Sequence, residues 1–352
     1  MTVKLPHTVR ASTIFVASLF LAACLTGPTD MKETSYDNHF DGKRFYNVPN
    51  RQHAGTWPLI EWLVTRKLGP WDAPRSDIEP GPPPPAEVPL GSARVTFVNH
   101  STVLIQIDGL NILTDPIYAE RASPVSFAGP RRVRPPGIRF EDLPKIDVVL
   151  VSHNHYDHLC LETLKQLYER DRPVFYTGLG NRKLLEGEGI VGVNELDWWD
   201  GASLDENVSL TFVPAQHFSA RGPFDRFETL WGGFYINGTK HRVYFAGDTG
   251  AGPHFKDIRE RLGPPDIALI PIGAYLPPRI MKPVHLSPEE AVEAHREVGA
   301  QHSMAIHFGT FPLADDGQRE PVERLDQALS AEGLTRDDFW VLGFGEGRNL
   351  DP

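Results

Sequence analysis

Cysteine and basic residues are both scarce in this sequence, and each shortage excludes a class of protein. The chain of 352 residues has two cysteines, so it cannot build a fold held together by several disulfides. Its 35 Lys and Arg face 46 Asp and Glu, which gives a net charge of -11. Nucleic-acid binding normally needs clustered cations that neutralise phosphates, so we expect no nucleic-acid partner. Hydrophobic residues make up 40%, which suits a globular core.

Long apolar runs are also rare, and the clearest one lies at the N-terminus. It extends from Ala11 to Ala23 after two basic residues and is short for a mature transmembrane helix. We interpret residues 1–23 as a signal peptide. The sequence Leu-Ala-Ala-Cys ending at Cys24 resembles a bacterial lipobox, which predicts lipidation of Cys24. The expected location is the bacterial cell envelope, lipid-anchored to a membrane on its periplasmic or surface face; an ordinary cleaved signal is the alternative.

Lipidation of Cys24 would leave Cys160 without a disulfide partner. We interpret Cys160 as a small apolar residue at the start of a helix. Residues 25–92 are rich in proline and polar side chains, and we expect a tether and an N-terminal extension that wraps around the core. Apolar residues at helical spacing between Trp57 and Trp71 interrupt it. We expect this helix to pack on the catalytic domain rather than touch a membrane.

Residues 93–352 carry the pattern of a mixed α/β domain. Three consecutive apolar runs, ARVTFVN, TVLIQIDG and NILTD, predict antiparallel strands. Later runs alternate with helical patterns, including one that starts at Pro288 with Ser287 as N-cap and Glu290 completing a capping box, and stops at Gly299. This mixture of strands and helices favours an α/β sandwich.

Potential metal ligands follow four of the predicted strands. The stretch SHNHYDHL contains His153, His155, Asp157 and His158, while single ligand-type residues, His217, Asp248 and His307, follow three later strands. Loops at one sheet edge can bring such side chains to a single point. A lone histidine is usually structural, but this cluster and its ordered followers predict a metal site.

The motifs SHNHYDHL, PAQHFS, FAGDTG and IHFGTF resemble those of the metallo-β-lactamase superfamily. That resemblance implies an α/β fold, the metallo-β-lactamase four-layer αβ/βα sandwich, with two metals at one edge. The stretches VNHSTVLIQIDGLNILTDPIY and IGAYLPPRIMKPVHLSPEEAV are most similar to the branch of phospholipases D that hydrolyse N-acyl-phosphatidylethanolamine.

Carried onto this sequence, the resemblance implies that one metal is held by His153, His155 and His217. A second is held by Asp157, His158 and His307, and Asp248 bridges the two. Five imidazoles and two carboxylates suit zinc, although iron or manganese also fit such ligands. Asp115 matches an acidic motif expected to orient a ligand histidine. His285, His100 and Tyr275 are weaker candidates for contacts with substrate, and His285 could hold a phosphate or protonate a leaving group.

Two divalent metal ions would turn a shared water into hydroxide near neutral pH, which predicts a zinc-dependent hydrolase. The main hypothesis is a phosphodiesterase of phospholipase D type that acts on N-acyl-phosphatidylethanolamine or a related lipid, with Asp157, Asp248 and His285 as catalytic residues. A lactone, β-lactam or other ester hydrolase is the alternative, and a non-catalytic envelope lipoprotein that binds metal is a third. Dimers in the family make a homodimer plausible.

Overall fold

The computed structural model describes residues 35–50, 56–222 and 224–350. The predicted signal peptide and Cys24 lie outside the described residues. Of the segment 25–92, residues 35–50 and 56–92 are described, and they include helix α1 (Thr56–Thr65). Among the described residues, no helix combines the length and apolar character needed to cross a bilayer.

The first of two seven-stranded sheets has the order β14-β1-β2-β3-β4-β5-β6. Its strands are β1 (Ala93–Asn99), β2 (Thr102–Ile107), β3 (Leu110–Thr114), β4 (Val148–Val151), β5 (Val174–Gly178), β6 (Val193–Leu196) and β14 (Gly347–Asn349). Strands β1, β2 and β3 pair antiparallel, which confirms the prediction for the three apolar runs. From β3 to β6 the pairing is parallel, so these strands all end at the same edge.

The second sheet has the order β13-β12-β11-β10-β9-β8-β7. Its strands are β7 (Gly201–Ser203), β8 (Ser209–Val213), β9 (Gly233–Asn237), β10 (Arg242–Phe245), β11 (Ile267–Pro271), β12 (His302–Ile306) and β13 (Phe339–Trp340). The neighbours β10, β11, β12 and β13 run parallel. Their carboxyl ends therefore also share one edge.

Both faces of β4, in the middle of the first sheet, are buried, which explains why this strand is continuously apolar. Alternate side chains of β4 belong to different apolar cores: Leu150 joins the large core shared with the second sheet. Val149 and Val151 join a smaller core with Leu164 and Leu167 of the helix that follows. This period of two follows from the pleat of the strand, in which successive side chains point to opposite faces.

Helices cover the outer face of each sheet, giving four layers in the order αβ/βα. The remaining helices are α2 (Leu161–Asp171), α3 (Arg182–Gly187), α4 (His254–Leu262), α5 (Pro278–Met281), α6 (Pro288–Val298) and α7 (Glu320–Ala331). The predicted start of α6 is confirmed, because Ser287 and Glu290 form the reciprocal capping box and Gly299 closes the helix in the left-handed conformation. Cys160 immediately precedes α2 and is buried among apolar side chains.

Candidate metal centre

The predicted ligands are brought together by loops that follow strands of both sheets. His153, His155, Asp157 and His158 come after β4 of the first sheet, while His217, Asp248 and His307 follow β8, β10 and β12 of the second. The site therefore lies where the two sheets meet at one edge. Of the seven side chains, only His155 is more than slightly exposed. Such burial is costly for polar groups unless they find partners.

Three imidazoles form a tripod at one side of this site. The nitrogen Nδ1 of His155 lies 2.8 Å from His153 Nε2 and 3.2 Å from His217 Nε2. Among the described residues, these three histidines form one of the groups whose ligand atoms all lie within 4.8 Å of one another. Their spacing is that of donors arranged around a common point.

Hydrogen bonds to the opposite ring nitrogens decide which tautomer two of these histidines adopt. His217 Nδ1 lies 2.9 Å from the Val284 carbonyl, which can only accept, so Nδ1 carries the proton. Ser152 Oγ donates to the Asp115 carboxylate at 2.6 Å and therefore accepts from His153 Nδ1 at 2.8 Å. Both rings then present an unprotonated Nε2 to the tripod, as metal ligation requires. Both lone pairs are thus available to a cation at the tripod.

The second group consists of His158, His307 and Asp157. The Oδ2 oxygen of Asp157 lies 3.3 Å from His158 Nε2 and 3.4 Å from His307 Nε2. The other ring nitrogen of His158, Nδ1, donates a hydrogen bond to Asp115 at 2.6 Å. Asp115 thus fixes His158 directly and His153 through Ser152, so one buried carboxylate orients a ligand in each group.

Asp248 lies between the two groups. Its Oδ2 oxygen is 3.2 Å from His158 Nε2 and 3.1 Å from His307 Nε2. The same oxygen is 3.8 Å from His217 Nε2 of the tripod. Its Oδ1 oxygen is buried and forms no hydrogen bond with any described residue. A buried carboxylate oxygen without a donor fits a cation at this position, because buried polar groups are otherwise almost always satisfied.

The tripod histidines are held neutral. Burial lowers the pKa of His155 to about 3 and holds the pKa values of His153 and His217 well below the ordinary 6.5. Charging any of them would place a cation in a site that already contains two other imidazoles. The neutral imidazole is also the form that binds a metal.

In the second group, the pKa values of the two histidines are raised instead of lowered. Burial by itself would lower the pKa of His307, but the carboxylates of Asp248 and Asp157 outweigh burial and raise it to about 9. The same balance, led by Asp248, raises the pKa of His158 well above its ordinary value. The Nε2 atoms of both rings face these carboxylate oxygens at 3.1 to 3.4 Å, a position at which a divalent cation would replace a proton. The donor set therefore fits a metal in both groups.

Of the weaker candidates, His100 and His285 join the site and Tyr275 does not join it through a hydrogen bond. His100 Nε2 donates to Asp157 Oδ2 at 2.9 Å, which orients that carboxylate. His285 Nδ1 lies 3.9 Å from Asp248 Oδ2, and His285 forms a further group of potential ligands with His217 and Asp248. The Tyr275 hydroxyl instead donates to Glu320 at 3.0 Å.

Backbone conformation is unusual at three positions of this centre. His100, Asp115 and His307 have φ angles of 48°, 35° and 61°, in the left-handed region that side chains other than glycine rarely adopt. Each such residue costs roughly 1–3 kcal/mol and persists where the surrounding contacts fix it. At all three positions the backbone adopts a strained conformation, and the side chain is directed into the centre.

Sequence reasoning missed Asn47, a residue of the N-terminal extension that holds a ligand loop. Asn47 Nδ2 donates to the His217 carbonyl at 2.9 Å, and Asn47 Oδ1 accepts from the His217 amide at 3.0 Å. Trp231 Nε1 donates to the same oxygen at 3.1 Å. Asn47 lies in an irregular segment 170 residues before His217, so no local pattern could have indicated this contact.

We expect Asn47→Ala to weaken metal binding at the tripod by about 10- to 100-fold, with added zinc as the probe, because it removes both hydrogen bonds that hold the His217 backbone. Competition with a chromophoric chelator would measure the affinity. Asn349→Ala is the matched control, since Asn349 accepts a hydrogen bond from Arg94 at the exposed end of β14. Unchanged zinc affinity in Asn47→Ala would contradict this role.

Asp316 and His254 are two further buried polar residues near the site. Asp316, with His100 and His307, lines a cavity of about 10 Å³, close to the smallest volume that can hold one water. Asp316 Oδ1 and the Nδ1 atoms of both histidines form no hydrogen bond with the described residues. His254, six residues after Asp248, is fully buried, and its Nε2 lies 3.1 Å from the Thr249 hydroxyl.

Comparison with known proteins agrees with this fold. Residues 110–308 match the family model of the beta-lactamase superfamily domain. A metallo hydrolase of known structure from the archaeon Ignicoccus hospitalis superimposes with a TM-score of 0.56 at 23% identity, covering 73% of this chain and 98% of its own. The protein therefore belongs to the metallo-β-lactamase superfamily, and its αβ/βα sandwich is the fold of that superfamily.

Within the superfamily, the chain lies near the phospholipase D branch named for hydrolysis of N-acyl-phosphatidylethanolamine. It is 40% identical to N-acyl-phosphatidylethanolamine-hydrolyzing phospholipase D 1 of Caenorhabditis elegans over 263 residues, 71% of this chain and 74% of that protein. It is 33% identical to the mitochondrial enzyme of the same name from Saccharomyces cerevisiae, over 73% of this chain and 56% of that protein.

Proposed function

We propose that this protein is a binuclear, zinc-dependent phosphodiesterase of phospholipase D type that hydrolyses N-acyl-phosphatidylethanolamine or a related lipid. The observation that carries the proposal is the position of Asp248. A single carboxylate oxygen of Asp248 lies within 3.1 to 3.8 Å of ring nitrogens from both histidine groups. A structural zinc would need only one closed shell of four ligands, whereas this arrangement provides two neighbouring incomplete ones.

The ligand set favours zinc, because it combines neutral imidazoles with two carboxylates and contains no thiolate. When bound, two divalent cations make water nucleophilic at neutral pH and neutralise negative charge that develops on a phosphoryl oxygen. The residues of the chain supply the rest of the chemistry. Asp115 and the Val284 carbonyl hold His158 and His217 in the tautomers that ligation needs.

His285 is the residue best placed to contact a substrate beside Asp248. Its side chain is 12% exposed, while the ring nitrogen Nδ1 lies 3.9 Å from Asp248 Oδ2. Burial lowers the pKa of His285 to about 4, so the imidazole is neutral at physiological pH. A neutral ring can donate one hydrogen bond to a phosphate oxygen, but it carries no additional proton for the leaving group. We therefore assign His285 to holding the phosphate rather than to protonating the alcohol.

Similarity to two relatives named for the same lipid supports a phosphodiester substrate. Hydrolysis would break the bond between phosphorus and the oxygen of the N-acylethanolamine, giving that alcohol and phosphatidate. A lactone or other ester hydrolase remains the second candidate, because the same ligand set can also activate water against a carbonyl. Lipidation at Cys24 would place the enzyme at a membrane of the cell envelope, where phospholipids are abundant.

The test is product analysis by mass spectrometry. The full chain with Cys24→Ala, loaded with zinc, is incubated with N-acyl-phosphatidylethanolamine in detergent micelles, and the metal content is measured on the same sample. We expect two zinc ions per chain and equal amounts of N-acylethanolamine and phosphatidate. If two zinc ions are bound but neither product forms, the lipid substrate is wrong. Turnover of a lactone or aryl ester by that sample would then favour the second candidate.

A further inference from the structure

Helix α1 exposes an apolar stripe that no described residue covers. Trp57 and Val64 are 75% and 81% exposed, Ile60 is 37% exposed, and Leu68, just beyond the helix, is 51% exposed. Positions 57, 60 and 64 lie on one side of a helix because each residue advances the helix by 100°. Single exposed apolar residues are ordinary, whereas here three lie side by side on one face of a helix.

The opposite side of α1 is anchored beside the metal centre. Leu59 and Trp62 are both 3% exposed and pack with Ile280 of α5. Trp62 Nε1 also donates to Asp315 at 2.7 Å. The prediction that this helix packs on the catalytic domain is therefore confirmed for one face.

Both anchoring segments are close in sequence to residues of the site. Ile280 precedes His285 by five positions, and Asp315 follows His307 by eight. Arg66 strengthens the second contact, since its Nη2 donates to the Ala314 carbonyl at 2.9 Å. The helix that carries the exposed stripe is thus attached to segments that also carry residues of the centre, and Ala314 lines the same cavity as His100 and His307.

The size of the stripe discriminates between possible partners. A helix of 10 residues is about 15 Å long and about 10 Å wide, a footprint of about 150 Å². A stable protein interface needs roughly 800 Å² on each partner, so the stripe is small for a dimer contact. A bilayer surface accepts a short apolar stripe, and tryptophan is enriched at that boundary.

We propose that the stripe formed by Trp57, Ile60 and Val64 docks on the surface of a phospholipid bilayer and places the metal centre next to its lipid substrate. The proposal rests on the lipid phosphodiesterase function proposed above. Because the net charge of the chain is -11, docking relies on apolar insertion and not on attraction to anionic lipids. Zwitterionic membranes should therefore serve as well as anionic ones.

A fluorescent probe on the helix tests docking without requiring turnover. In the full chain with Cys24→Ala and Val64→Cys, the new thiol is labelled with the environment-sensitive dye NBD, while Cys160 is buried and unlabelled. We expect vesicles of phosphatidylcholine to shift the emission to the blue and raise its intensity at least about twofold. Val191→Cys is the matched control, because Val191 is 59% exposed outside α1, and its label should not respond.

Two outcomes would overturn docking: no response at position 64, or a response that depends on protein concentration without vesicles, which would indicate a second copy on the stripe.

A kinetic comparison separates failure of docking from failure of the proposed function. We expect Val64→Glu to reduce hydrolysis of N-acyl-phosphatidylethanolamine in vesicles about tenfold and to leave the rate in micelles unchanged. An equal loss in both, or no loss in either, contradicts docking. Absence of turnover by wild type in both contradicts the enzymatic function, while the NBD result still decides docking.

Discussion

Asp248→Asn should lower the rate of lipid hydrolysis by about a thousandfold or more, equivalent to about 4 kcal/mol of transition-state stabilisation. Asp248 Oδ2 is the atom that both histidine groups share, at 3.1 Å from His307 and 3.8 Å from His217. An amide keeps the shape of the side chain but removes the negative charge that would hold two cations close together. We therefore also expect the zinc content to fall from two ions to one or none.

Metal analysis and single-turnover kinetics on the same preparation would measure both effects. Asp326→Asn is a suitable control, since Asp326 is an exposed aspartate of α7 that pairs with Arg336. Its zinc content and rate should equal those of the wild type. An Asp248→Asn protein that keeps two zinc ions and more than a tenth of the activity would show that the two groups do not depend on a shared carboxylate.

Asp115→Ala should reduce both stability and metal binding. Among the substitutions proposed for the metal centre, we expect this one to cause the largest loss of folding free energy. Asp115 is fully buried and accepts from the Ser152 amide at 2.7 Å, the Ser152 hydroxyl at 2.6 Å and His158 Nδ1 at 2.6 Å. Removing the carboxylate leaves three buried donors without an acceptor, and breaking a buried charged network costs about 3–5 kcal/mol. It also releases the tautomers of His153 and His158.

Urea unfolding of the metal-free protein, followed by zinc titration of the refolded sample, would separate the two effects. The isosteric variant Asp115→Asn keeps one acceptor oxygen but turns an amide toward a donor, so it should fold better than Asp115→Ala and still bind zinc weakly. Asp326→Ala again serves as control, with a change within about 0.5 kcal/mol as for other exposed sites. If Asp115→Ala were as stable as this control, the role assigned to the buried network would be wrong.

Local patterns in the sequence indicated the arrangement of strands and the start of one helix because their causes are local. The alternation of apolar residues follows the pleat of a strand, and the capping box at Ser287 needs only residues within one helical turn. The string from His153 to His158 was similarly informative, because a single loop after β4 carries four of the seven expected ligands. Candidate ligands that lie within one loop can therefore be recognised from the sequence alone.

Contacts between distant segments were not visible in this way. Asn47 holds His217 across 170 residues, and Asp316 borders the same cavity as His100 and His307 from a loop before α7. Neither residue lies in a recognisable pattern, since an asparagine in a polar segment or an aspartate in a turn is ordinary. The exposed stripe of α1 also needed the structure, because an apolar helix does not reveal which of its faces is covered.

The sequence by itself determined the fold class, the ligand types and their order along the chain, because apolar periodicity and the choice of side chain are written residue by residue. Tertiary structure decided which nitrogen of each histidine is available, how one oxygen of Asp248 reaches both groups, and which residues outside the motif hold them in place. The physical reason is that a tautomer or a pKa depends on the partner at the far side of the ring. In this protein that partner comes from another strand, another loop or the N-terminal extension.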